Sequence, residues 1–161
     1  MLARDMQSSS HAYITGSVVE SPVAILLVKA GNRSNAMTVS FFSEVAHHPT
    51  SLWVSIATST YTHALIEETQ RFSLAVLHVK QKYLALGCGS VSGREHDKCS
   101  TLEVYETASG FLFLNGALSS TACRVRDRVA LSDHTIFIAD ILEGQIESRQ
   151  AHLRHLLLSD L

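Results

Sequence analysis

Asn35-Ala36-Met37-Thr38-Val39-Ser40-Phe41-Phe42 sets polar Asn35, Thr38 and Ser40 into a stretch that otherwise has the apolar character of a buried strand. A polar row there costs stability unless something hydrogen-bonds to it, so the stretch predicts a ligand with many acceptors. Residues 23–28 are apolar throughout, as in a strand covered on both sides, and Ala30-Gly31-Asn32-Arg33-Ser34 is a turn, so the two segments make a hairpin. Leu52, Val54 and Ile56 alternate with Trp53, Ser55 and Ala57, and Phe72, Leu74 and Val76 alternate with Ser73, Ala75 and Leu77. That period of two predicts half-buried strands. Residues 135–142 also have the pattern of a strand covered on both faces. Between 123 and 129, Cys123, Val125 and Val129 fall on one face, and Arg124, Arg126 and Arg128 on the other, toward water or an anion.

Helices are few. Thr60-Tyr61-Thr62 offers hydroxyl caps before a helix over 63–69, and residues 80–86 form another turn or two ending at Gly87. Leu153, Leu156, Leu157 and Leu161 recur at helical spacing, which predicts an amphipathic C-terminal helix over about 149–161. The expectation is a mainly β domain with a few short helices, an antiparallel barrel of six or so strands, because closure removes exposed edges.

At 161 residues the chain has the length of one compact domain, 1–161, with its core over about 17–145. Charged residues are 17% of the chain, a low share that predicts a surface partly covered by a second subunit, hence a homodimer. Lys and Arg total 13 against 15 Asp and Glu, a net charge of -2 that offers no footprint for nucleic acid or an anionic membrane. The apolar runs are far shorter than the roughly 20 residues of a spanning helix. The first residues, MLARDMQSSSH, lack the apolar core of an export signal, so a cytoplasmic location is expected. Cys88, Cys99 and Cys123 are widely spaced, with no C-x-x-C pair, and are expected as reduced, mostly buried thiols. His47 and His48 are neighbours whose side chains point apart in an extended segment, so no metal site is expected there.

Three segments carry chemistry. Ser55-Ile56-Ala57-Thr58-Ser59-Thr60-Tyr61-Thr62 leads five hydroxyl-bearing residues into a helix start, where unpaired N–H groups and a partial positive charge suit a phosphate. Gly89-Ser90-Val91-Ser92-Gly93-Arg94, with Asp97 and Lys98, combines close backbone approach, serine donors and two cations for an anion. It lacks the spacing of a Walker loop or a dinucleotide fingerprint. Ser132-Asp133-His134-Thr135 sets a histidine beside a carboxylate at the head of a strand.

In this order, Asn35-Ala36-Met37-Thr38, Tyr61-Thr62-His63 with residues 65–69, the 89–98 loop and Asp133-His134-Thr135-Ile136-Phe137 resemble the flavin reductase-like family with the FMN-binding split-barrel fold. The resemblance runs from about residue 23 to about 143. It implies a homodimer with flavin at the subunit interface, FMN or FAD as cofactor, and NADH or NADPH as hydride donor. It also implies supply of reduced flavin to a partner monooxygenase in some members. Residues 35–38, with Ser40, would border the isoalloxazine and ribityl chain. Ser55, Ile56, Thr58, Thr60 and Thr62 would hold the phosphate end. Ser90, Ser92, Gly93, Arg94 and Lys98 would add contacts, and His134 would sit near the nicotinamide as a positioning group. A non-catalytic flavin-binding protein or electron carrier is the alternative. Three departures stand out. Thr58, Ser59 and Thr60 are neutral where many relatives carry a basic residue, which leaves the phosphate charge to the helix end, Arg94 and Lys98. Ser132 replaces a usual glycine. The leucine-rich tail replaces a basic, tyrosine-containing one.

Overall fold

In the computed structural model, which describes residues 19–149 and 151–153, β1 (Ala24–Ala30) turns through Gly31 and Asn32 into β2 (Arg33–Val39), the expected hairpin. Gly31 takes the positive φ of 62° that the two-residue turn requires. The chain continues through β3 (Phe42–His47), β4 (Thr50–Ala57), α1 (Tyr61–Thr69), β5 (Arg71–Val76) and α2 (Lys82–Ser90). The short ribbon β6 (Val104–Glu106) and β7 (Leu112–Leu114) follows, then the long strands β8 (Ser119–Ala130) and β9 (His134–Ile146).

Seven strands form one antiparallel sheet in the order β2-β1-β5-β8-β9-β4-β3. One face wraps around a core that draws Leu26 from β1, Val54 and Ile56 from β4, Phe72 from β5, Cys123 from β8 and Phe137 from β9. Leu65 and Ile66 of α1 pack into the same core. The sheet's edges, β2 and β3, are joined through Ser40 and Phe41 but are not hydrogen-bonded neighbours, so the barrel is split rather than closed. Closure was the expected remedy for exposed edges; here the edges survive, and one of them builds the site.

A second core lies outside the barrel wall. Ile25 and Leu27 of β1 and Ala75 of β5 meet Ala85 and Cys88 of α2, Leu114 of β7, and Leu153. β1 is therefore covered on both faces, as its continuous apolar run predicts. β5 is as well: Ser73, expected on a wet face, is buried and donates its hydroxyl to the Leu112 carbonyl.

Other expectations are corrected. α2 runs through Gly87 to Ser90, because Ala85 and Cys88 anchor its apolar face in the second core. β9 is buried on one face only, through Thr135, Phe137 and Ala139, with Ile136 and Ile138 half-buried and Leu142 exposed on the other. β8 carries register shifts at 122/123 and 125/127. The second flips the side-chain parity, so Val129 opposes Ile136 on the outer face while Arg128 opposes Phe137. Val129 therefore does not share a face with Cys123. Of the expected C-terminal helix, residues 151–153 are extended: Leu153 exchanges backbone bonds with Leu77 and Val23, at 2.7 and 2.8 Å, and His152 bridges His78. The rest of that segment lies outside the described residues.

All three cysteines are buried and free, and burial pushes the Cys123 thiol up to about 12. No helix among the described residues is long and apolar enough to cross a membrane.

Candidate functional site

Because the β1–β2 turn is two residues long, Ala30 and Arg33 form its closing hydrogen-bonded pair. Alternation then turns the N–H and C=O groups of Ser34, Ala36 and Thr38 outward, along the free edge of the sheet. Facing that edge are the first turn of α1, the end of α2 and the loop after it, and between them lies a cleft of about 270 Å³.

Side chains from both faces of β2 border the cleft. Asn35 and Thr38 have opposite parity, so the expected polar row is not a row: it straddles the strand. Asn35 is 2% exposed, and its Nδ2 donates to Thr62 Oγ1 of α1 at 2.8 Å. Thr38 Oγ1 donates to the Ala85 carbonyl of α2 at 2.5 Å. β2 is thereby tied to the two helices that flank the cleft.

Gly93 closes the far wall. A Cβ there would fall 2.0 Å from Asn35 Oδ1, so only glycine lets the loop come this close. The approach sets Ser92 and Arg94 at the cleft; Arg94 donates from Nη1 to the Ser59 carbonyl at 3.1 Å, and its guanidinium lies 5.6 Å from the Tyr61 ring centre. Lys98 forms the floor at 7% exposure, donating to the carbonyls of Cys88 at 2.9 Å and Val91 at 3.1 Å. No carboxylate lies within ion-pairing distance of Lys98 among the described residues. Burial holds its ammonium below the ordinary lysine value, with the nearby Cys88 and Cys99 acting weakly the other way.

Of the sequence candidates, Asn35, Met37, Thr38, Thr60, Thr62, Ser92, Gly93, Arg94 and Lys98 line the cleft. Ala36 turns its side chain into the second core and offers only backbone. Ser40 lies beyond the end of β2. Ile56 is wholly buried in the barrel core. Thr58 donates to the Asp133 carbonyl at 3.2 Å, and Thr60 caps α1 by accepting from His63 N at 3.2 Å, so part of the hydroxyl cluster is structural. Ser90 donates to the Gly87 carbonyl at 3.3 Å and faces a different cavity. Ser59, Tyr61, Cys88, Gly89 and Val91 line the cleft without having been singled out as contacts. Ser59 and Tyr61 stood inside the quoted helix-start motif, and Gly89 and Val91 inside the quoted loop; Cys88, expected as a buried thiol, was not marked in the sequence as lining a cleft.

His134 and Ser55 sit elsewhere, in an apolar cleft of about 320 Å³ with Phe41, Trp53, Leu131 and Ile136 on the outer face of β4 and β9. Asp133 and His134, adjacent in sequence, do touch: Oδ1 and Nδ1 are 3.0 Å apart, and that hydrogen bond holds the Asp133 carboxyl below its usual range.

The β2-edge cleft suits a flavin mononucleotide unit. Among the described residues Asn35 Oδ1 has no hydrogen-bond partner and is packed against Gly93, so the ring edge is left to the backbone of the strand. Lys98, Arg94 and the α1 start supply positive charge and donors for a phosphate, while the outward groups of Ala36 and Thr38 suit a ring edge with both donors and acceptors.

Comparison with known proteins gives the same direction. The chain is 28% identical over 123 residues to an NADH-dependent FMN reductase of Streptomyces nodosus subsp. asukaensis, covering 75% of this chain and 66% of the reductase. An FMN-binding protein from Thermus thermophilus, solved with bound 1-cyclohex-2-enone, is 25% identical and superposes with a TM-score of 0.77 over 81% of this chain and 72% of its own. An NADH:FAD oxidoreductase of Streptomyces globisporus, 18% identical, shares the fold with a TM-score of 0.80 over 92% of this chain and 88% of its own. Residues 16–159 match the family model of the flavin reductase like domain, and the chain belongs to that family.

Proposed function

We propose that the chain is an oxidoreductase that binds the FMN unit of FMN or FAD in the β2-edge cleft and reduces it with NADH or NADPH. The observation that carries this is the convergence on one cleft of Lys98, buried and without a carboxylate partner among the described residues, Arg94, the α1 start and Thr38 on the free edge of β2. A bound flavin supplies the hydride acceptor. Lys98 and Arg94 hold its phosphate. The β2 backbone fixes the ring edge, Met37 and Val91 exclude water beside it, and the Asp133–His134 pair orients the nicotinamide donor.

A homodimer completes this account. Phe41 and Leu131 are 47% and 50% exposed, and with half-buried Trp53 and Ile136 they make an apolar face around His134 that a second subunit would cover. Such a subunit would join the His134 cleft to a flavin site. Reduced flavin would pass to a partner monooxygenase in the cytoplasm. The separation of His134 from the β2-edge cleft within one chain favours, as a second reading, a flavin-binding protein or electron carrier with no reductase activity of its own.

Anaerobic addition of NADH or NADPH to the flavin-loaded protein separates the two. Bleaching of the flavin absorbance near ~450 nm, where an oxidised flavin ring absorbs, is the result for a reductase. A yellow protein that neither nucleotide bleaches would be the carrier.

A further inference from the structure

His63 belongs to the Tyr61-Thr62-His63 motif, yet its side chain lines neither the β2-edge cleft nor the His134 cleft. It turns to the sheet instead: Nε2 lies 2.8 Å from Thr135 Oγ1 at the head of β9, and the ring packs 5.4 Å, centre to centre, from Phe137. Thr135 is a firm anchor, buried and paired in the sheet with Ile56 of β4 and Ala130 of β8. We infer that His63 is a positioning residue for the flavin phosphate: by tying the first turn of α1 to β9 through Thr135, it fixes the backbone N–H groups which that turn offers to the β2-edge cleft. The inference rests on the proposed flavin site and adds to it a residue outside the cleft.

An α-helix leaves the N–H groups of its first turn without partners in its own ladder. In α1 the Thr60 hydroxyl accepts from His63 N at 3.2 Å and the Thr60 carbonyl accepts from Ala64 N at 3.5 Å. Tyr61 and Thr62 therefore carry the N–H groups left for a ligand, and both line the cleft. The turn is held from two sides. On the cleft side Thr62 Oγ1 accepts from Asn35 Nδ2 of β2 at 2.8 Å. On the other, His63 is tied to β9, and Thr58, just ahead of the turn, donates from N and Oγ1 to the Asp133 carbonyl at 2.9 and 3.2 Å. Further along the helix Leu65 and Ile66 anchor it by apolar contact, which has no preferred direction. The directional bond from His63, next in sequence to the two donors, sets how the turn is rotated about the helix axis. Hydrogen bonds to a phosphate weaken steeply as their angle opens, so that rotation decides their strength.

The test compares FMN with riboflavin, which has the same ring and ribityl chain but no phosphate, by fluorescence titration of the whole chain. The parent should bind FMN at least about tenfold more tightly than riboflavin, as charge-assisted phosphate contacts predict. His63→Ala should weaken FMN by about three- to tenfold, the scale of one hydrogen bond, and leave riboflavin within about twofold. Thr135→Val keeps the β-branched shape in the strand and should have the same selective effect. The double variant should lose no more than either single one, because both remove one bond. His63→Gln, whose amide nitrogen reaches the position of Nε2, should restore most of the FMN affinity. Unchanged FMN affinity in His63→Ala, or equal weakening of FMN and riboflavin, would overturn the inference while the flavin site stands. So would a loss in His63→Ala that Thr135→Val does not share, since His63 would then meet the phosphate itself. A parent that binds FMN no better than riboflavin, or binds neither, would remove the phosphate site and the inference with it.

Discussion

A Cβ on Gly93 would stand 2.0 Å from Asn35 Oδ1, closer than any real contact allows, so the 92–98 loop is seated on β2 through a glycine. Gly93→Ala must push the loop outward or turn Asn35 away. Overpacking of this kind costs about 1–3 kcal/mol, and the displaced loop carries Arg94. Flavin affinity is expected to fall about tenfold or more with the far-ultraviolet circular dichroism unchanged, checked by fluorescence titration.

Thr62→Val removes the acceptor that Asn35 Nδ2 uses at 2.8 Å, in a buried setting where Oδ1 already lacks a partner. Leaving a buried donor unsatisfied costs about 1–3 kcal/mol, so urea unfolding should show a loss of that size. Thr38→Val releases only the half-buried bond to α2 and should cost less, about 0.5–1.5 kcal/mol, while also weakening flavin binding.

Lys98 sets a pH dependence. Burial lowers its pKa, so above that lowered value and below the ordinary lysine value the folded protein holds fewer protons than the unfolded chain. Folding stability from this group therefore rises with pH across that window, whereas flavin affinity falls, because the phosphate needs the charged amine. Flavin titrations from neutral to alkaline pH should show affinity declining before the ordinary lysine range. In Lys98→Met that decline should disappear, with affinity at neutral pH already reduced by about tenfold or more.

What the sequence disclosed and what it hid divide along locality. The Gly31-Asn32 turn, the Thr60 cap and the alternation of β4 depend on near neighbours, and each was legible. The helix extension past Gly87 was not, because its cause is the second core formed with β1 and β7. Nor was the bulge near Arg126, which moves Val129 to the outer face and whose origin is the pairing with β9. Most residues lining the β2-edge cleft stood inside the segments singled out in the sequence. Their joint geometry was not legible: Asn35 and Thr38 meet one cleft from opposite faces only because β2 is an edge strand, and edges are decided by the whole sheet.

Arg126 and Arg128 are not free cations. Arg126 Nη1 lies 3.1 Å from Asp140 Oδ1, and Arg128 pairs with Glu67. The double variant Arg126→Ala/Arg128→Ala should change stability by under ~2 kcal/mol, as two exposed pairs do, and shift the NADPH-to-NADH ratio of kcat/KM by no more than about twofold. A collapse of NADPH use alone would assign these arginines to the donor's extra phosphate.

His134→Asn removes the donor-side imidazole but keeps a small polar side chain beside Asp133. Turnover with either nucleotide should drop about tenfold or more, as loss of a positioning group does, while flavin affinity holds within about twofold. Equal loss of both would place His134 in flavin binding instead.

A crystal structure of the protein with FMN bound tests the central claim most directly. The account predicts the isoalloxazine edge against the outward backbone of Ala36 and Thr38, with the phosphate within hydrogen-bond reach of Lys98 or Arg94 beside the α1 start. Flavin seated instead on the Phe41–Trp53–His134 face, with the β2-edge cleft holding none of it, would contradict the account.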